Sequence, residues 1–218
     1  MANWDWVTIS ALATGLGTLV LALATFASVR SANRAARTAE RSLLAGLRPL
    51  LFPSRFSDEP LKVSYADQHV FRLPGGHGMA EVTADVIYLA MSLRNVGSGL
   101  AVLDGWVVGS GPIGSALRPE HAPLDEFRRL TRDLYVPSSD VFFWQGALRD
   151  PTEPDFIEVA EAIRAESPLT VELLYGDEEG GQRTITRYSL LPHHDGEGPL
   201  VWLATVSRHW NIDRADPR

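Results

Sequence analysis

Hydrophobic and polar positions divide the chain near Pro49 into two unlike parts. From Trp6 to Val29 no residue is charged (WVTISALATGLGTLVLALATFASV, 24 residues). A helix needs roughly 20 residues to cross a bilayer, so the pattern predicts a single-pass transmembrane helix over 6–29 behind a short outer N-terminus at 1–5. A signal peptide would carry positive charge before its apolar run. Here only Asp5 precedes the run, and the arginines follow it. No proline occurs before Pro49, and Ala, Arg, Glu and Leu favour helix. The helix is therefore expected to continue as a juxtamembrane helix over 30–48. Positive residues stay on the cytoplasmic side, so Arg30, Arg34, Arg37 and Arg41 predict an outside N-terminus and a cytosolic main domain.

Two faces run along this helix. At about 100° per residue the arginines at 30, 34, 37, 41 and 48 fall within an arc of about 60°. Traced backwards, the same stripe passes through Phe26, Leu23, Leu19, Leu16 and Leu12. The leucines meet lipid tails, and the arginines meet headgroups and water, where anionic lipid is a possible ligand. The opposite stripe is small: Ala11, Gly15, Thr18, Ala22, Thr25, Val29, Ala32, Ala36, Ala39 and Leu43. Small residues let helices approach in lipid, so this stripe is a candidate face for homo-oligomer formation or for docking on another membrane protein.

Beyond Pro49 the texture changes to short β-branched or aromatic runs between Gly- and Pro-containing turns. Strands are expected at 61–66, 69–73, 85–96, 100–109, 130–137, 140–148, 169–177, 183–191 and 200–210, after a linker at 49–60 and before a tail at 211–218. Alternation places Ile87, Leu89, Met91 and Leu93 on one side of their strand. LLYGDEEGGQRTITRYSL reads as a hairpin. A helix is expected over 154–167, with Pro154 at its start and Phe156, Ile157, Val159, Ala160 and Ile163 on its apolar face. Several short strands at near-regular spacing predict an antiparallel β-sandwich with one inserted helix over 61–210.

The stretch Asn95-Val-Gly-Ser-Gly-Leu-Ala101 resembles the Asn-x-Gly-x-Gly-x-Ala turn of bacterial immunoglobulin-like sandwich domains. Together with the leading helix and LLAGLRPLLF, the chain resembles uncharacterised single-span membrane proteins of high-GC bacteria with a C-terminal immunoglobulin-like β-sandwich domain. The resemblance implies a sandwich fold and a bacterial inner (cytoplasmic) membrane, and it implies no activity. Gly97 and Gly99 need only a tight turn or a close backbone approach to account for them.

Charge narrows the partners. Residues 1–50 hold five arginines against Asp5 and Glu40, and the remainder holds 15 basic and 25 acidic residues. An acidic main domain argues against nucleic acid, whose phosphates call for a basic surface. The absence of cysteine excludes disulfides, thiolate metal sites and thiol catalysis.

The remaining chemistry is sparse. His193, His194 and Asp195 in PHHDGEG are the best metal candidates, but adjacent strand residues point oppositely, so only a loop would bring them together. LPGGHGMA (73–80) reads as a flexible turn, and GDEEGG (176–181) lacks the alternating acids of a calcium loop. No nucleophile elbow occurs. No catalytic residue and no cofactor is expected. YVPSSDVFFWQG (135–146) concentrates aromatics: it is either a core strand with its turn or a contact surface for a partner through Tyr135, Phe143 and Trp144. Trp210 and Ile212 either pack back onto the domain or form a docking segment.

The sequence points to a membrane-anchored, non-catalytic adaptor or scaffold that presents an acidic β domain to another protein. The alternatives are a structural subunit assembling through the small helix face, and a ligand-sensing or enzymatic domain.

Overall fold

The computed structural model describes residues 6–111, 120–194, 196 and 198–213. The chain forms two compact units that meet at Gly46/Leu47. The first is a single unbroken helix, α1 (Trp6–Gly46, 41 residues). It is long and apolar enough to cross a bilayer. Three hydroxyls of its apolar part are satisfied within the helix: Thr14, Thr18 and Thr25 each donate to the carbonyl four residues back at 2.8 Å. In hydrocarbon an unpaired hydroxyl would be costly, and this back-bonding removes that penalty.

The second unit contains eleven strands and a second helix: β1 (Leu51–Pro53), β2 (Leu61–Ser64), β3 (Val70–Leu73), β4 (His77–Val82), β5 (Ile87–Asn95), β6 (Ala101–Ser110), β7 (Arg128–Val136), β8 (Val141–Leu148), α2 (Pro154–Arg164), β9 (Leu169–Gly176), β10 (Thr184–His194) and β11 (Leu200–Asn211). Nine strands form one antiparallel sheet, in the order β1-β5-β4-β11-β10-β9-β6-β7, with β8 on β5. The expected immunoglobulin-like sandwich is not confirmed: nine strands follow one hydrogen-bonded network, and β2 and β3 pair apart as a two-stranded sheet. The sheet curls instead into a half-barrel. Trp106 of β6 and Trp144 of β8 lie strands apart in that order, yet their rings meet edge to face at 5.4 Å. Alternate residues inside the curl (Leu89, Met91, Leu93, Val171, Leu173, Tyr188) form the main core. Phe156, Val159, Ala160 and Ile163 of α2 fill it from one side, whereas Ile157, expected on that face, is exposed.

Two smaller cores lie outside the curl. The β2–β3 hairpin buries Val63, Tyr65 and Leu73 against Tyr88 and Ala90. Ala122, Phe127, Leu174, Ile185 and Trp210 form the other. Under the β2–β3 hairpin, Asp67 accepts from the Tyr88 hydroxyl at 2.8 Å and from Arg149 at 2.8 Å. These partners, the Tyr88 hydroxyl first, hold its carboxyl at about 2, against about 3.9 when unfolded. A carboxyl depressed on folding adds stability above the unfolded value and loses it as pH falls through the folded one. Acid titration of the protein should therefore show a loss of stability between about pH 4 and 2 that Asp67→Asn flattens. Identical acid limbs for the two proteins would refute the assignment.

The turn from β5 to β6 is organised by Asn95, which is fully buried. Its Nδ2 donates to the carbonyls of Gly99 (2.7 Å) and Val136 (3.1 Å). Its Oδ1 accepts from the amides of Leu50 (3.1 Å) and Gly97 (3.0 Å). All four side-chain valences are used. Residues 47–50 lie so close to this turn that a Cβ on Gly97 would fall 2.2 Å from the Arg48 carbonyl oxygen, and one on Gly99 1.7 Å from that of Leu47. Close approach, and not positive φ, is what requires these two glycines.

Three expectations about boundaries change. The stretch 49–60, read as linker, contains β1, which pairs with the end of β5 (Leu51 opposite Asn95). The stretch 73–80, read as flexible turn, leads into β4, whose His77–Val82 run pairs with β5 and β11. The tail begins later than expected, because β11 continues to Asn211.

Candidate functional site

The curled sheet ends in two edges, β7 and β8, and these do not pair with each other. They are joined only by residues 137–140, a length that ordinarily closes a hairpin. Asn95 anchors this connection to β5. Its amide donates to the Asp140 carbonyl at 3.1 Å, the Ser139 amide donates to its carbonyl at 2.8 Å, and its Nδ2 holds the Val136 carbonyl. Both ends of the connection thus bond to β5 at Asn95, and the Asp140 amide also donates to the Pro137 carbonyl at 3.3 Å, closing the turn. Farther along, β7 also bows away from β6. Arg129 lies opposite Gly105 and Leu134 opposite Leu103, so residues 130–133 face the single residue Asp104. Such a bulge redirects side chains and interrupts pairing.

Between the two edges lies a groove of about 350 Å³, lined chiefly by Leu130, Leu134, Phe142 and Trp144, with Arg132 and Gln145 as its polar members. Leu130, Leu134 and Phe142 are half-buried at the rim of the main core, so the core is open along this seam. Two buried polar atoms on lining residues have no partner among the described residues: the Trp144 indole N–H and the Gln145 side-chain carbonyl oxygen. Native proteins rarely leave such groups unpaired. Arg132 makes no ion pair among the described residues.

A second cavity, about 400 Å³ and polar, lies on the outer face of β6, β9, β10 and β11 beside α2. Its centre is a cross-strand pair. Glu172 of β9 faces Arg187 of β10 in register and accepts from its Nε at 2.7 Å and Nη2 at 2.6 Å. The other Glu172 oxygen accepts from the Ala122 amide at 2.8 Å, and Arg187 also donates to the Glu120 carbonyl at 2.6 Å. Trp210 lies beneath two guanidiniums, 4.8 Å from Arg187 and 5.2 Å from Arg208. Ser110 donates its amide and hydroxyl to Glu158 of α2 at 2.8 and 2.7 Å. These bonds pair the Glu172 and Glu158 carboxylates within the cavity.

The sequence-derived candidates distribute as follows. Ala11, Gly15, Thr18, Ala22, Thr25, Ala32, Ala36 and Ala39 all lie on α1 and are exposed, as are Arg30, Arg34 and Arg37; Arg41 is in the same helix. Leu12, Leu16, Leu19, Leu23 and Phe26 each remain more than half exposed. Of the aromatic trio, Trp144 is 1% exposed and belongs to the core while also lining the floor of the groove. Phe143 packs on the outer core beneath β2–β3, and Tyr135 is 54% exposed. His193 and His194 sit in strand β10 opposite Val201 and Leu200, and His194 bonds Glu166 at 2.8 Å. They do not converge, and Asp195 lies outside the described residues. Among the described residues no group of three His, Asp or Glu side chains is placed to hold a metal. Trp210 packs back onto the domain.

No family model matches the chain, and no curated protein matches it. Among solved structures it is similar to a protein from Archaeoglobus fulgidus, at 10% identity and a TM-score of 0.25, covering 62% of this chain and 93% of that one. A likeness that faint carries no argument about fold or activity.

Sequence reasoning missed the groove and the Glu172–Arg187 pair. The groove requires knowing that two strands adjacent in sequence stay unpaired. The pair had a faint signal, since a single acid inside LTVELLYG and a single arginine inside TITRYSLL stand at matching distances from their hairpin turn.

Proposed function

We infer that the chain is a membrane-anchored, non-catalytic adaptor: α1 holds the acidic β domain at the cytosolic face of a bacterial inner membrane, where the domain binds another protein. One observation carries the reading: a domain with an apolar groove left open between two sheet edges is tethered to a helix long and apolar enough to cross a bilayer. An apolar recess with a few unsatisfied polar groups is the ordinary form of a binding site. The direction of insertion rests on the exposed stripe that changes from Leu12–Phe26 to Arg30, Arg34 and Arg37. The resemblance to single-span proteins of high-GC bacteria agrees with this arrangement.

The protein has no cysteine, so Asn3→Cys and Asp216→Cys each introduce a unique label site. In intact cells a membrane-impermeant maleimide should label the variant at position 3 and reach position 216 only after permeabilisation. Labelling of position 216 from outside would overturn the orientation.

The small-residue stripe of α1 favours a second reading, a structural subunit that assembles through that face. Purification from native membranes separates the two. A subunit emerges in fixed stoichiometry with its neighbours, whereas an adaptor emerges alone and captures its partner through the β domain.

A further inference from the structure

We propose that the seam between β7 and β8 receives an extended segment of a partner protein, which adds as a strand along the free edge of β8. The segment carries apolar residues at alternate positions and a carboxylate that meets Arg132. This rests on the adaptor reading and specifies its site.

The free edge of β8 is unusual for a sheet terminus. VFFWQGAL contains no charge, no proline and no bulge, and its eight residues pair without interruption to β5 from Ile87 to Arg94. Proteins ordinarily protect such edges with charge, proline or a bulge, because the unpaired N–H and C=O groups recruit another strand. The protective features here lie across the groove on β7, which is bulged at 130–133 and carries Arg129 and Arg132. β7 thus forms a wall that leaves room, and β8 a template. At the connection the chain is bonded to Asn95 of β5, and beyond it β7 and β8 stay unpaired. The Trp144 indole N–H, on the main-core side of β8, and the Gln145 side-chain oxygen, on the opposite side, lack partners among the described residues. Leu130, Leu134 and Phe142 provide the apolar contacts that reward alternate side chains of an added strand.

The occupant follows from the walls and the charge. A groove walled by β7 on one side and β8 on the other disfavours edge-to-edge pairing with the body of a second sheet. Residues 51–218 carry 15 basic and 25 acidic residues, so two domains repel, while Arg132 offers an unpaired cation to a carboxylate at the groove itself.

The test uses the full-length protein in native membranes. A photoreactive benzoylphenylalanine replaces Phe142 in the groove or, in a second variant, Ile157 on the exposed face of α2. Adducts are digested and mapped. The expected result is a Phe142-site adduct confined to one short stretch of one protein, apolar at alternate positions and containing Asp or Glu. Its yield should fall at least fivefold with Arg132→Glu, which leaves the melting temperature unchanged. A synthetic peptide of the mapped stretch should slow hydrogen exchange at the Val141–Leu148 amides. Adducts to lipid alone, to a second copy alone, or at a yield indifferent to Arg132→Glu would overturn the proposal. Protein adducts from position 157 without any from position 142 would sink the seam and leave the adaptor reading standing. Absence of protein adducts from both would sink both.

Discussion

Gly99→Ala is expected to destabilise the β domain by about 3 kcal/mol or more, enough to leave much of it unfolded. The added Cβ would lie 1.7 Å from the Leu47 carbonyl oxygen and 2.7 Å from its carbon. Both are backbone atoms, so no rotamer change relieves the clash and residues 47–50 must move. That movement breaks the Leu50 amide bond to Asn95 Oδ1 and strains the Leu51 amide bond to the Tyr175 hydroxyl (3.1 Å). The Leu51 carbonyl also accepts from Tyr188 (2.9 Å), and both tyrosines are fully buried in the main core. Each buried group left unpaired adds about 1–3 kcal/mol. Urea unfolding of the detergent-solubilised protein, followed by tryptophan fluorescence, measures the loss. Gly181→Ala is the control, since a Cβ there meets nothing within 4 Å, and it should shift stability by less than about 0.5 kcal/mol. Equal midpoints for the two variants would mean that residues 47–50 yield freely.

This prediction also locates what the sequence made legible. The helix was readable because its signal is local: uncharged residues from Trp6 to Val29, then arginines at helical spacing without a proline. The strand β5 was readable because Ile87, Leu89, Met91 and Leu93 alternate, and they line the core. The 95–99 turn was recognised as a motif, but the reason for its glycines lies fifty residues away in Leu47 and Arg48, a non-local contact that no spacing reveals. The short strand β1 was hidden in a three-residue run beside Pro53. The Gly-rich surroundings of His77 masked β4, because Gly75, Gly76 and Gly78 weaken a strand signal. There the glycines are demanded by neighbours: a Cβ on Gly75 would lie 2.1 Å from the Arg55 carbonyl oxygen. The sandwich arrangement was not confirmed, for a similar reason. Strand spacing reports how many strands there are, while curling into one sheet is decided by contacts such as Trp106 with Trp144. The candidate groove is a consequence of that curl, so it was illegible by the same measure.

Removal of one partner of the Glu172–Arg187 pair should be nearly as damaging as the glycine change, and removal of both should be milder than the sum. Glu172 is 3% exposed, and its two oxygens hold Arg187 and the Ala122 amide. In Glu172→Ala the guanidinium keeps the Glu120 carbonyl and the Trp210 ring but loses its counter-charge, and the Ala122 amide loses its acceptor. Breaking a buried pair in this way costs about 3–5 kcal/mol, because an uncompensated charge stays behind. Glu172→Gln preserves shape and one acceptor, so it should fall between wild type and alanine. Arg187→Leu strands the carboxylate instead, although Ala122 still donates to it. In Glu172→Leu/Arg187→Leu no charge is left to desolvate, and two apolar side chains opposite each other on β9 and β10 recover cross-strand packing. The double variant should therefore be more stable than Glu172→Leu alone, with a coupling energy of about 1–3 kcal/mol in the cycle closed by Glu172→Leu and Arg187→Leu. An additive cycle would mean that solvent reaches the pair and screens it. The sign of the coupling bears on function as well. The polar cavity around Glu172 is the second concave surface on the domain. If its charges are bound mainly to each other, as the distances indicate, it stabilises the outer core under Trp210 and leaves the β7/β8 seam as the apolar surface with room for a partner.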